Sequence, residues 1–517
     1  MTLVHLVELT GYTDAEASAV YRFATAPYST TPTDAPPSTH YEGRVLGIGS
    51  ISRSMFAPGQ SGARSNPRSE VGVGVITLAN VDGGLDSLFD GSVSFRERCV
   101  EIRAVQAGAA YSTAALVLRA VISQAALRAD TVEISIKDRL YELSSDHSTA
   151  AYGGTNALPA GVDGTAELAG TIKPMAYGKV FAAQPPCVNT SRLIYQLSAR
   201  ALASVDGVYD GGLAITAGAT YADQAAMEAA APSAGQYRAW LAGGMIRLGT
   251  SPVYRITADC TADSAANSTA AQLLKTLATA RGISSSDISA ADVAALDADT
   301  TAVLGVLITG GSTLDAMDLV ARSVGAYYGF DRLGMLRMRR YGLPAGSLGL
   351  LPVVARWNTQ AIEQQPNGED VPTQTVRIRY ARYWQPLSPG EFAGAVVEAD
   401  RADMSQQWRT AQYEAAPSPN PYQRPLVAER ETALTTEADA LAEARRLHSI
   451  TAGVRRTFLA SGVSMADPAL SGVDIDTVVE VRWDRYGLGD LTGTALLVIQ
   501  MDEDLIEQRA ELLLWGG

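Results

Sequence analysis

Residues 76–91, ITLANVDGGLDSLFDG, gather side chains that a calcium loop uses. Asn80, Asp82 and Asp86 stand at positions one, three and seven of an acidic loop with glycines inside it. An EF-hand also needs glycine at the sixth position and a bidentate glutamate at the twelfth, where this chain has Leu85 and Gly91. The run Gly83, Gly84, Leu85, Asp86 departs equally from the G-G-x-G-x-D calcium repeat. The same residue types build a tight turn, because Asn and Asp bond their own backbone and glycine tolerates positive φ. The loop is therefore expected to be a turn that ends a strand. No catalytic, cofactor-binding or metal-binding residue is assigned anywhere in the chain, and no cofactor is expected.

Other candidates for chemistry fare no better. There is no G-x-S-x-G elbow, H-E-x-x-H, Walker loop or G-x-G-x-x-G before a helix, and the nearest approaches are AGSLG (345–349) and GIGS (47–50). Of the histidines His5, His40, His147 and His448, only His147, in SSDHST, sits among residue types used in nucleophilic catalysis. A surface loop is the expected place for it. His448 ends a helical pattern, where a cation suits the helix dipole. The acids of DVAALDAD and QMDEDLIE read as a solvated face. Arg337 and Arg339, on one face of DRLGMLRMRRYG, could contact phosphate or the acids of a neighbouring subunit, and the subunit contact fits an acidic chain better. Cys99, Cys187 and Cys260 are too far apart for a zinc or iron–sulfur set and read as small buried hydrophobes. The sequons at Asn189 and Asn267 read as chance matches.

The elements that would position these residues fall into three stretches. Residues 1–165 read as an all-β domain: in ADTVEISIKDRLYEL, alternation puts Val132, Ile134 and Ile136 on one face. Residues 166–350 read as α+β, with STAAQLLKTLATARG and STLDAMDLVARSVGAYYG as capped helices, DISAADVAALDAD as another short helix and AYYGFDRLGMLRMRR as a hairpin. Residues 351–517 return to strands around one helix, TTEADALAEARRLHS, with a proline-rich arm at 385–425 too long for an ordinary loop. VEIR (100–103) and VEVR (479–482) echo one another across the two β regions. The expected fold class is mainly β with an α+β insertion: two β-barrel or sandwich tube-like domains flanking a mixed α+β domain.

Composition narrows the function classes. At 517 residues the chain has length for several cores, and 47% hydrophobic with 19% charged residues describes an ordinary folded protein. No apolar run approaches the roughly 20 residues that span a bilayer, and MTLVHLVELTGYTD has no signal-peptide pattern, so folding in a cytoplasm is expected. A net charge of −14 opposes a broad duplex-DNA footprint.

Read as a strand and turn, TLAN-DG-LD resembles the tail-tip proteins of long non-contractile-tailed bacteriophages and gene transfer agents. TIKPMAYGKVFAAQPP, YQLSARALASVDGVYDGG, GMIRLGTSPVYRITADC, GAYYGFDRLGMLRMRR, GVRRTFLASG, VRWDRYGLGD and the terminal ELLLWG resemble the same family in order. The resemblance covers most of the chain and fails mainly in the proline-rich arm. It implies a structural, non-enzymatic protein at the virion tail tip, assembled in the host cytoplasm. In such a baseplate hub, β-barrel domains continue the tail tube and let DNA pass. It also implies a homo-oligomer, a trimer before a hexamer. The implied partners are the tail tube or distal tail protein, the tape measure protein and other tail-tip and fibre proteins, with DNA only transiently in the lumen. A receptor-binding or cell-wall-degrading tail protein is the alternative. Some relatives carry an iron–sulfur cysteine cluster or a fused lysozyme or peptidase domain; this chain has no such cluster and shows no such domain.

Overall fold

Strand alternation closes the first sheet around an apolar interior. In this computed structural model, which describes residues 3–13, 18–56, 67–366, 372–415, 426–470 and 472–517, an antiparallel sheet runs in the order Ser18–Ala24, Leu3–Thr13, Cys99–Gln106, Ala115–Leu127, Thr131–Lys137, Val75–Ala79, Val45–Ile48. Val7, Leu9, Val100, Ile102, Leu118, Ile122, Val132 and Ile134 fill one side of it. Glu42 joins the sheet's two ends: its carbonyl accepts from the Ala24 amide at 2.7 Å and its amide donates to the Arg22 carbonyl at 3.2 Å, three residues before the opposite end strand begins. The sheet is thus rolled toward a barrel, which removes much of the exposed edge that an open sheet would leave.

A second rolled sheet has the order Val353–Ala355, Val478–Arg482, Thr494–Asp504, Arg509–Gly516, Arg456–Ser464, Ala361–Gln365. Its end strands are consecutive in the chain, and Asn358 sits in the link between them. The Asn358 side chain accepts from the Ala355 amide and donates to the Val353 carbonyl, both at 2.9 Å, while its own carbonyl accepts from the Ser464 amide at 2.8 Å. The echo noted in the sequence is shared in part. Val100 and Ile102, like Val479 and Val481, point into the core, and Glu101–Arg103 and Glu480–Arg482 pair at 2.9 and 2.6 Å, with Glu101 half-buried and Glu480 fully buried. The architecture is mainly β, with a mixed α+β part between the barrels.

Two stretches pack away from their neighbours in sequence. Strands Ile51–Ser54 and Glu70–Val73 extend the Val45–Ile48 and Val75–Ala79 strands of the first barrel, yet Ile51–Ser54 pairs with Thr494–Asp504 of the second. The two described arms of this long hairpin, residues 45–56 and 67–79, are therefore shared by both barrels. Strand Thr373–Tyr380 and helix Glu437–Thr451 join the central core, where Val376, Ile378, Ala440, Ala444 and Leu447 meet Leu273, Leu277, Met317 and Val320. Burial of one continuous apolar face, not chain order, decides both placements.

The hairpin passes between the barrels at Gly49 and Gly74. Their amides donate to the Val75 carbonyl at 3.0 Å and the Ser50 carbonyl at 3.1 Å. A Cβ on Gly74 would lie 2.5 Å from the Gly49 Cα, and one on Gly49 would lie 2.8 Å from the Gly74 Cα. Backbone, not a flexible side chain, is what such a Cβ would meet. Gly74→Ala should therefore destabilise by about 1–3 kcal/mol through overpacking, read from chemical denaturation. Gly47→Ala, where an added Cβ meets nothing within 4 Å, should change stability far less.

The four predicted helices form, and Thr269, Ser289, Ser312 and Thr436 each accept from a backbone amide in the first turn of Ala270–Ala280, Ala290–Asp299, Thr313–Ser323 and Glu437–Thr451. The hairpin Ala326–Phe330/Leu336–Arg340 buries Leu336 and Met338 fully. Within the segment 385–425, the described part, 385–415, carries helix Glu398–Met404, a small cluster of Leu387, Phe392, Ala393 and Val396, and strand Arg409–Glu414 paired to Thr373–Tyr380. Pro417, Pro419, Pro421 and Pro425 lie outside the described residues.

Candidate functional site

Alternation in SISRSMF puts Ile51, Arg53 and Met55 on the buried face of the hairpin, which forces an arginine inward. Arg53 is 1% exposed; it donates to Asp474 at 2.6 Å and Glu503 at 3.3 Å, and its Nη2 lies 3.1 Å from the Met501 sulfur. Glu503 also accepts from Arg332 at 3.3 Å, in the turn of the central hairpin. That turn is held by Asp331, which accepts from the Leu333 and Met335 amides, and the Arg332 carbonyl accepts from the Arg119 amide of the first barrel at 2.7 Å. All three parts of the fold thus meet at one point.

The meeting point is a cleft of about 300 Å³, lined in part by Arg53, Asp331, Arg332, Arg337, Arg339 and Asp474. Asp292, buried at the start of helix Ala290–Asp299, takes Arg337 at 2.5 Å and Arg339 at 3.2 Å. Burial opposes its ionisation, but the two guanidiniums hold its pKa below the ordinary carboxylate value. Arg339 also reaches Asp476 at 3.1 Å and Arg337 reaches Asp331 at 3.3 Å. Every arginine lining this cleft has a carboxylate partner. Such a lattice fixes the relative orientation of the parts it joins.

These pairs correct two readings. Arg337 and Arg339 were expected to meet a neighbouring subunit, but their carboxylates come from the same chain. Asp292 and Glu503, in DVAALDAD and QMDEDLIE, were expected on a solvated face and are both buried. In each case an apolar neighbour pattern pulls the charge inward and an arginine meets it there. Arg53 was missed; its partner Asp474 lies 421 residues away in sequence. The signal was the alternation Ile51, Arg53, Met55 against serines.

His147 also departs from expectation, being 5% exposed rather than on a surface loop. Its Nδ1 lies 3.0 Å from the Thr313 hydroxyl and its Nε2 lies 2.6 Å from the Tyr177 hydroxyl, so the imidazole cross-links the start of a helix to a central strand. Burial, with help from the Arg281 and Arg200 charges, pushes its pKa from 6.5 down to about 4. The unfolded chain therefore binds the proton more readily, and stability should fall as pH drops from about 6.5 through about 4, by at most about 3 kcal/mol. His147→Asn should flatten this slope, measured by denaturation at stepped pH.

The acidic loop is a turn in its hydrogen bonding. The Asn80 side chain accepts from the Leu85 amide and donates to Asp86, both at 2.8 Å, and Asp82 pairs through both oxygens with Arg44 at 2.8 Å. Gly83 supplies the positive φ of +64°. Asp86 thus takes an amide donor and Asp82 a guanidinium, which tie the loop to its own turn and to Arg44. Of the cysteines, Cys260 is buried while Cys99 and Cys187 are half-buried. His448 lies in the last turn of its helix with its ring edge-on to Tyr413. Asn189 is fully buried and donates to the Pro159 and Gly161 carbonyls. Among the described residues no helix is long and apolar enough to cross a membrane.

No protein-family model matches the chain, and no curated protein matches it. Solved structures do. The chain is similar to phage tail proteins. The tail protein from Neisseria meningitidis MC58 aligns over 100% of this chain and 97% of its own, at 10% identity and a TM-score of 0.42. The 43 kDa tail protein of prophage MuSo2 from Shewanella oneidensis aligns over 92% and 93%, at 11% identity and a TM-score of 0.38. A chain of the virion of a native gene transfer agent particle aligns over 67% and 85%, at 13% identity and a TM-score of 0.41.

Proposed function

We propose that this chain is a structural, non-enzymatic component of a phage tail tip, one that forms the baseplate hub ring continuing the tail tube. The observation that carries the reading is the long hairpin whose arms are residues 45–56 and 67–79. It belongs to both barrels and is locked at Arg53, so each chain presents two β units as one rigid wall segment. Three copies would then place six such units around a lumen, with heterologous contacts between neighbours closing the ring. The ordered sequence resemblance to tail-tip proteins supports the same reading. A chain charge of −14 suits a lumen through which DNA slides without adhering. The partners on this reading are the tail tube or distal tail protein, the tape measure protein and other tail-tip and fibre proteins, and the location is the virion.

The test is the mass and symmetry of the purified full chain, alone and mixed with its tail tube protein. A trimer seen as a ring by electron microscopy is the expected result. A chain that stays monomeric at tens of micromolar and does not bind the tube protein would overturn it.

A further inference from the structure

The outer face of the three-stranded sheet formed by Thr373–Tyr380, Arg409–Glu414 and Leu426–Glu431 carries a second feature, independent of the hub reading. Helix Glu437–Thr451 covers the inner face, through Val376, Ile378 and Ala411. The outer face holds an open groove of about 610 Å³ in which Trp408 stands beside Gln406, Gln407, Thr410, Arg377 and Glu429. Trp408 is half-buried, while the two glutamines and Thr410 are exposed.

The tryptophan is held in place by an unusual neighbour. The Arg382 guanidinium lies 5.3 Å from the Trp408 ring centre and 4.1 Å from that of Trp384, and its buried Nε has no hydrogen-bond partner among the described residues. An arginine set over two indoles supports their rings through cation–π attraction, with Glu431 as its nearby charge. Of the two arginines in the groove, Arg379 pairs with Glu429 and Glu431, while the exposed Arg377 donates through its Nε to the uncharged Gln412 amide oxygen at 2.9 Å.

We propose that this groove binds an uncharged saccharide chain, with Trp408 as the stacking platform and Gln406, Gln407 and Thr410 as its hydroxyl-reading groups. A pyranose has a C–H face that packs on an indole and hydroxyls that both donate and accept. Side-chain amides and a threonine hydroxyl match that dual character, and Arg379, already held by two carboxylates, offers little to a polyanion. An open, shallow groove suits a polymer threaded across it better than a small molecule enclosed in it.

Affinity electrophoresis of the full chain in native gels containing dextran, soluble starch or glycol chitin tests this. At least one polymer should retard the protein, and both Trp408→Ala and Gln406→Ala should reduce the retardation at least threefold. Thermal unfolding would confirm that each variant is folded, and Gln406→Ala decides the matter if Trp408→Ala does not fold. The proposal is overturned if none of the three polymers retards the protein, or if retardation is unchanged in the folded variants. It is equally overturned if the variants weaken retention on heparin or single-stranded DNA while the neutral polymers do nothing. Ring assembly is measured separately, so failure here leaves the hub reading standing.

Discussion

Arg53→Ala should loosen the long hairpin from the second barrel and cost about 3–5 kcal/mol, the usual range when one partner of a buried ion pair is removed. Arg53 is 1% exposed, and its loss leaves Asp474 without its guanidinium and Glu503 held by Arg332 alone. Because the chain has several cores, one unfolding midpoint is not a sufficient readout. Hydrogen exchange is better: amides of residues 51–54 and 500–503, which share a ladder, should exchange faster while those of strand Cys99–Gln106 stay protected. Arg53→Met should cost less than Arg53→Ala, because it refills the volume beside Met501. If the hub reading is right, the alanine variant should also assemble into rings poorly even where it remains folded, since the two β units would no longer move as one.

Glu443→Ala should be comparably damaging for the central part, again about 3–5 kcal/mol. The Glu443 side chain is 3% exposed and takes Arg446 and Arg340, each at 2.7 Å, with Arg430 at 3.9 Å. Burial opposes its ionisation, but Arg446 foremost, then Arg340 and Arg430, more than offset that and hold its pKa below the ordinary 4.5. The sign follows from linkage: its stabilisation is complete above the unfolded value and is lost as pH falls from about 4.5 through the lower folded value. Denaturation at stepped pH should therefore show a second loss below the one due to His147. Glu443→Gln should shrink the second loss, to which Asp292 also contributes, and leave the first.

Much of the local structure was legible because it depends on residues near one another in sequence. Period-two alternation placed Val132, Ile134 and Ile136 inward, and serines or threonines before periodic runs marked the starts of the helices. The turn at Asn80–Asp86 was readable for the same reason, since its bonds close within six residues. The predicted hairpin at 326–340 was equally local, and its turn at Asp331–Gly334 needs only the Asp331 carboxylate and a glycine with positive φ.

Charge placement was not legible. Whether Arg337 meets solvent, a subunit or Asp292 depends on where a helix 45 residues away comes to rest, and nothing in either segment states that distance. His147 looked like a loop residue because its surroundings in sequence are polar. Its burial comes from Thr313 and Tyr177, brought together by the packing of the central core.

The sequence by itself determined the mainly β character, the helices and their caps, and the strand-and-turn nature of the acidic loop, because propensity, alternation and capping act over a few residues. Only the tertiary structure decided that the strand pair of residues 45–54 and 70–79 spans two barrels, that strand Thr373–Tyr380 and helix Glu437–Thr451 belong to the central core, and that buried carboxylates gather the arginines. Those outcomes rest on which distant apolar faces cover one another. A charged side chain carried inward by such packing is stable only where its counter-charge arrives with it.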